Sequence, residues 1–328
     1  MHRFQFLLIL IILFAEAIPL RAEVTGEIEA SLISLNGYTQ YQIGGDCTVN
    51  NESGTLRFPI SELEFPLTSQ YVSVKGSVEI ENFIKIEGSF NKNLALDTVT
   101  LKDSDWGYLY YNYHSELPKA SPDSLDIYSE SKAELDATIW DINIGYKIVD
   151  KPKFTMLIAL GFMQQYFDFT VSNLDQWYPS YFSYFGNTDA GIKYDVYPYH
   201  QYKSGRVLEY NVTYNIPYIK ANFGFKPIKN LVISSDFGIS PFVSAKDYDN
   251  HVLRDKISRG ECTGMFLKTN IDIKYLFTNY FFAGNQLEYL YIDTTGEQKQ
   301  TDPGYSTKIE QKISSAQLSL SIYAGLQF

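Results

Sequence analysis

The last thirteen residues, AQLSLSIYAGLQF, constrain this chain more than any other stretch. Leu318, Leu320, Ile322, Ala324, Leu326 and Phe328 alternate with Gln317, Ser319, Ser321, Tyr323, Gly325 and Gln327. A period of two belongs to an extended strand, whose successive side chains point to opposite faces. One face is apolar and the other polar, which suits a strand with lipid on one side and a polar lumen on the other. A strand of a soluble sandwich also alternates, but it rarely ends a chain on an apolar aromatic residue.

Weaker versions of the pattern predict about ten strands, over residues 24–45, 57–81, 84–103, 131–149, 154–171, 208–226, 231–247, 264–278, 280–294 and 310–328. Short turns such as VDKPK (149–153) and KPIKN (226–230) alternate with long polar connections over 104–130, 173–207, 248–263 and 295–309. Short turns at one end and long loops at the other are the mark of a transmembrane barrel. Composition agrees, because 27 Tyr, 22 Phe and 3 Trp can furnish aromatic girdles at both interfaces. The expected fold is therefore all-β: a ten-stranded antiparallel transmembrane β-barrel with long extracellular loops, forming one domain over residues 23–328. Several strands exceed the roughly 9–11 residues that cross a bilayer, so the barrel should project above it. Side chains can largely fill so narrow a lumen, whereas an open porin channel needs about 16 strands or more. A terminal Phe after an alternating strand resembles the signal by which outer-membrane barrels are recognised for assembly. The expected location is thus the outer membrane of a Gram-negative-type bacterium, in contact with outer-membrane lipid.

The other end of the chain points the same way. His2 and Arg3 precede the apolar run FLLILIILF, and Ala15, Ala17 and Ala22 offer small-residue cleavage patterns. Residues 1–22 read as a secretory signal peptide, too short and wrongly flanked for a spanning helix. Their removal takes Arg3, Arg21 and Glu16 and moves the formal charge from −11 to −12. An acidic exported chain is a poor candidate for nucleic acid, whose phosphates need Lys and Arg. It suits cationic peptides better. Cys47 and Cys262 lie far apart; an oxidising compartment permits a bridge, and spacing alone does not show one.

Two short stretches carry chemistry. KDSDW sets Asp103 and Asp105 two residues apart before Trp106, and DYDNH sets Asp247, Asp249 and His251 at the same spacing. Side chains at i and i+2 of a strand share a face, so each stretch can aim its groups into one space. A carboxylate can fix the tautomer of a neutral imidazole and stabilise the cation formed when it takes a proton from water. Two crowded carboxyls do not easily both ionise, so Asp103 and Asp105 can share a proton. The bland reading of each stretch alone is a solvated strand end. A divalent metal is the other alternative, although Gly107 stands where a calcium loop would want another oxygen. Parity raises a conflict. Lys85, Glu87 and Ser89 inward carry Asp103 and Asp105 inward, but Ser234, Asp236, Gly238 and Ser240 inward would turn Asp249 and His251 outward. A bulge between 240 and 247, for instance at Pro241, would restore them.

Together, D-x-D-W and D-x-D-x-H at two strand ends, with NIPYI (Asn215 to Ile219) between them, resemble the omptins, ten-stranded outer-membrane proteases with a groove at the extracellular rim. The resemblance implies an aspartic-type (Asp/His) endopeptidase with Asp103, Asp105, Asp249 and His251 as its catalytic set. It implies a water between His251 and Asp103, no covalent intermediate, no metal and no cofactor. It also implies peptide or protein substrates cut near basic residues, which two acids in the substrate pocket recognise. Asp247 matches one of these acids, whereas Tyr41 stands at the position of the other, so selectivity for Lys and Arg should be broader. The arginines that hold lipopolysaccharide in the family fall on Ser172 and Thr213, a departure that argues against lipid dependence. The rival reading is a catalytically silent barrel acting as an adhesin or structural protein through aromatic loops such as YPSYFSYFG (178–186). A small-solute channel comes third.

Overall fold

The computed structural model describes residues 23–50, 52–94, 98–113, 119–180, 200–303 and 305–328, so the expected signal peptide lies outside the described residues. The strands are β1 (Val24–Val49), β2 (Glu52–Pro66), β3 (Ser69–Ile80), β4 (Ile84–Leu94) and β5 (Thr98–Trp106). A short helix α1 (Tyr108–Tyr113) precedes β6 (Leu125–Lys151), β7 (Phe154–Trp177), β8 (His200–Ile228), β9 (Leu231–His251), β10 (Lys256–Leu276), β11 (Phe281–Asp302) and β12 (Tyr305–Gln327). All pairings are antiparallel, and β12 pairs with β1 to close the sheet on itself. Twelve strands make ten staves. β3 and β2 pair in turn with the first and second halves of β1, and β4 and β5 both pair with β6. At the break between β2 and β3, the Leu67 amide still donates to the Gly37 carbonyl at 2.8 Å, so the ladder along β1 continues.

Tight turns close one end. Lys229 and Asn230 join β8 to β9, and Glu81 and Asn82 take positive φ values of 51° and 61°, the primed geometry that matches strand twist. At the other end the strands run further than their alternation indicates. Most of 248–263 and 295–309, expected as loops, is paired strand. Charged pairs across the outer face hold these polar hairpins together: Lys246 stands opposite Glu261 at 2.8 Å, and Lys308 meets Glu297.

The outward face is apolar over a belt that includes Ile28, Leu32, Val74, Ile144, Leu160, Ile239, Ile271, Leu320 and Ile322, all exposed. Above Phe242 on β9 and Leu318 on β12 the outward residues become Lys246 and Lys312, which marks the upper edge of the lipid-facing belt. Inside the belt the lumen holds charges, and they are paired. Glu87 meets Lys85 and Lys220, each at 3.1 Å, and Lys268 meets Glu288 at 2.9 Å. Breaking such a buried pair leaves an uncompensated charge, at a cost of about 3–5 kcal/mol. A polar cavity of about 120 Å³ lies among these groups, lined by Glu87, Tyr71, Asn91, Lys220 and Gln165. Over it sits a fully buried aromatic layer in which Phe65 stacks on Tyr210 at 4.2 Å and touches Phe169 at 4.9 Å, with Tyr41 5.4 Å from Tyr210. The lumen is filled at this level.

The parity conflict on β9 is resolved by a bulge. Ser240 pairs with Phe266 and Val243 with Gly264, so three steps on β9 match two on β10. The β8 ladder shifts at the same place, between Asn215 and Ile219. Pro241 and Phe242 both face outward, and Val243, Ala245, Asp247 and Asp249 then face inward and are buried. Proline suits the position because it has no amide to offer a ladder. Removing Phe242 leaves plain alternation with the same residues inward, whereas removing both Pro241 and Phe242 turns Val243 to His251 over. In a background lacking Cys47 and Cys262, Lys246→Cys should react with an impermeant maleimide both in the intact strand and after deletion of Phe242. Deletion of both Pro241 and Phe242 should cut that labelling at least about tenfold.

Candidate active site

β5 delivers its acidic pair to the mouth of the barrel. Asp103 lies opposite Leu63 of β2 and Ser129 of β6, and Asp105 lies opposite Ser61 and Ile127. Directly afterwards the Arg57 guanidinium sits 5.0 Å over the Trp106 ring, and Gly107 turns the chain with φ 65° into α1. Asp126 caps that helix by accepting from the Leu109 amide at 2.8 Å. The end of β5 is thereby fixed from both sides. Burial and the neighbouring Asp105 push Asp103 well above the usual carboxylate range. Burial also raises Asp105, while Ser61, Arg254 and His251 draw it back down. Asp103 Oδ1 is buried without a hydrogen-bond partner. A protonated Asp103 beside an ionised Asp105 is the state this environment favours.

Across the mouth, β9 presents the second group. His251 Nε2 lies 3.0 Å from Asp249 Oδ2, and the same oxygen accepts the Tyr41 hydroxyl at 2.6 Å. His251 Nδ1 lies 2.9 Å from Arg254 Nη2. A guanidinium only donates, so Nδ1 is the accepting nitrogen and Nε2 carries the proton given to Asp249. Burial alone would raise Asp249, but the charge and hydrogen bond of His251 and the Tyr41 hydroxyl outweigh it and hold Asp249 below its ordinary value. Tyr41 itself is raised well above its ordinary range, by burial and then by Asp249. Arg254, in the turn between β9 and β10, also acts on Asp103 and Asp105, so its charge stands between the two walls.

Asp247 lies one inward step below Asp249 and is 5 % exposed. Its Oδ2 accepts from Gln311 Nε2 at 2.7 Å, and its Oδ1 has no partner. Burial and the Asp249 charge push it up to about 7. The hydroxyl of Tyr41, expected opposite Asp247 in a substrate pocket, is instead committed to Asp249. Asp103, Asp105, Asp247, Asp249 and His251 thus face one space, with Tyr41 joining its two sides. The sequence reading passed over Arg254, Lys256, Gln311 and Gln298. Of these, Gln298 was visible as one of an i, i+2 pair with Gln300, on a stretch read as loop. Burial lowers Lys256, which feels the charges of Arg254, Asp302, Asp249 and Asp105.

Such a site can hold a water between an imidazole nitrogen and a carboxyl and offer a protonated carboxyl to a developing oxyanion. Among the described residues, no group of three or more His, Cys, Asp or Glu is arranged to hold a metal ion. Cys47 and Cys262 are both free thiols.

The Omptin family's sequence model matches residues 49–328. Among solved structures, the outer membrane protease OmpT from Escherichia coli superposes with a TM-score of 0.74 at 14 % identity, over 93 % of this chain and 97 % of that one. The outer membrane protein OprG from Pseudomonas aeruginosa gives 0.35 at 8 % identity, over 93 % and 95 % of the two chains. No curated protein matches the chain in sequence. The likeness to OmpT is one of fold.

Because Asp103 binds its proton more tightly folded than unfolded, folding loses stability as pH rises from the ordinary carboxylate range through the raised value. Asp103→Asn removes that loss. The variant should melt with wild type at pH 4 and above it at pH 8, by roughly 2–4 °C for each kcal/mol recovered. Melting curves at the two pH values in detergent check this.

Proposed function

The chain belongs to the omptin family, and on that premise we propose that it is an outer-membrane endopeptidase. Its water is activated between the Asp249–His251 dyad and the Asp103–Asp105 pair at the extracellular rim. The observation that carries this reading is the hydrogen-bonded dyad, with one imidazole nitrogen turned away from Asp249, in the same mouth as a carboxyl that favours its proton.

The steps follow from the groups. Arg254 withdraws from His251 Nδ1; it is exposed and lies in a turn, so it can move. A water in its place gives a proton to Nδ1 and attacks the peptide carbonyl. Asp249, held ionised by Tyr41 and His251, stabilises the imidazolium. Protonated Asp103 donates a hydrogen bond to the oxyanion, whose collapse expels the amine as Nδ1 returns the proton. No covalent intermediate forms, and the reaction is of aspartic type with His251 as the base. Substrates are peptides or proteins, and Asp247 with the overall negative charge favours cationic ones, cut beside basic residues. Ser172 and Thr213 offer hydroxyls rather than guanidinium groups to a lipid phosphate, so activity without lipopolysaccharide is expected. Most of the aromatic stretch on which an adhesin reading rests falls in 181–199, outside the described residues.

His251→Ala should lower peptide cleavage by about 10² to 10⁴ while the barrel stays folded. Unchanged cleavage by the folded variant removes His251 as the base, and no cleavage of a peptide library by the refolded wild type leaves the silent-barrel reading. EDTA should not inhibit; inhibition reversed by added Zn²⁺ would point to a metallohydrolase instead.

A further inference from the structure

The wall beside Asp247 carries three inward glutamines that the chemistry above does not use. Strand register places them in rows. Asp247 faces Gly260, which faces Gln298; one row higher, Asp249 faces Ser258, which faces Gln300; one row lower, Cys262 faces Gly296, which faces Gln311. Gln298, Gln300 and Gln311 are buried, at 1 %, 7 % and 1 % exposure. Gly260 leaves room where two of the polar heads meet: a Cβ there would come within 1.7 Å of Gln311 Oε1 and 2.4 Å of Asp247 Oδ1. Gln311 is spent on Asp247, and Gln300 Nε2 donates to Gln298 Oε1 at 2.7 Å. Two buried atoms on these rows remain without partners, Gln298 Nε2 and the Ser258 hydroxyl, beside an Asp247 carboxyl that the Gly260 amide and the Tyr210 hydroxyl also approach. Such a group, left unmet, loses its hydration with nothing in return. A polar ligand group in the mouth would meet the unpaired amide of Gln298.

Taking the pocket that holds Asp247 as the one the family resemblance assigns to the side chain preceding the scissile bond, we propose that in this chain it also accepts a carboxamide side chain, Gln or Asn, when Asp247 is protonated, and a cationic one when Asp247 is ionised. This rests on the peptidase reading and adds a substrate class to it. The argument is one of donors and acceptors. Lys and Arg side chains only donate, so they can meet Asp247 Oδ1 and a hydroxyl oxygen but leave Gln298 Nε2 facing another donor. A carboxamide brings both kinds of group: its carbonyl accepts from Gln298 Nε2 and a hydroxyl, and its NH₂ donates to Asp247. A site built to hydrogen-bond a polar group discriminates strongly because the wrong side chain leaves buried groups unpaired.

The ionisation of Asp247 selects between the two classes. The groups around it are Asp249 on its own strand, Tyr210 and Tyr214 from β8, Cys262 and the Gly260 amide from β10, Tyr41 from β1 and Gln311 from β12, with Gln298 on β11. None of these is a cation. Burial and Asp249 push Asp247 up to about 7, so it is largely neutral at pH 6 and largely ionised at pH 8.

The test is to map cleavage sites in a defined peptide library at pH 6 and pH 8 with the full chain refolded in detergent. Cleavage after Gln and Asn, relative to Lys and Arg, should be roughly tenfold higher at pH 6 than at pH 8. Asp247→Asn should hold the ratio at its low-pH value throughout. Gln298→Leu should depress cleavage after Gln and Asn about tenfold more than cleavage after Lys and Arg, and Gln298→Glu, which supplies a second acid, should swing preference to the cations. Products that follow only Lys and Arg at both pH values, or equal losses at all sites in Gln298→Leu, overturn the subsite while leaving the peptidase reading intact. No cleavage by the wild type at either pH overturns both.

Discussion

Every feature of this chain depends on the ladder between its first and last strands, which runs from Glu27–Gln327 to Val49–Thr307. Lipid offers no water to an unpaired amide or carbonyl, so a sheet can sit in a bilayer only if it has no edge. Closure also fixes register, because each stave is held by two neighbours. With register fixed, the side on which every residue stands follows from parity, and a single-residue slip would exchange lumen for lipid. The bulge at Pro241–Phe242 is the one place on β9 where the chain uses that exchange. It keeps Ser240 inward below and Asp247 and Asp249 inward above.

The lumen divides into two regimes that obey different rules. Within the lipid belt, Glu87 is surrounded by Lys75, Lys85 and Lys220, and the unpartnered Tyr71 hydroxyl and Asn91 Oδ1 line a cavity able to hold water. At the mouth, Asp103, Asp247 and Asp249 each keep an oxygen without a partner. Charges at depth are matched to one another, whereas those at the rim are left open toward the space of the mouth.

How much of this was legible in the sequence depended on the residue. The period of two in β12 and the turns at Pro152 and Asn230 were enough for the closed antiparallel barrel, because lipid on one side forces a strong contrast between faces. The contrast fades above the belt, where both faces meet water. For that reason the hairpins carrying Arg254, Glu261 and Gln298 read as loops, and the breaks within the second and third staves went unseen. Asp103 and Asp105 could be placed by continuing a regular strand. Asp249 and His251 could not, and Pro241 was the signal of the missing bulge. The bond from Tyr41 to Asp249 spans 208 positions and is set by the curvature of the wall, which no local pattern records.

The aromatic layer of Tyr41, Phe65, Phe169 and Tyr210 has a consequence for traffic. It lies like a floor between the mouth and the polar cavity beneath. Among the described residues it blocks the direct way down the lumen, so a chain that enters the mouth meets a wall of rings and turns back. Protons obey the same geography. The carboxyls and imidazole above the layer exchange protons through the water of the mouth.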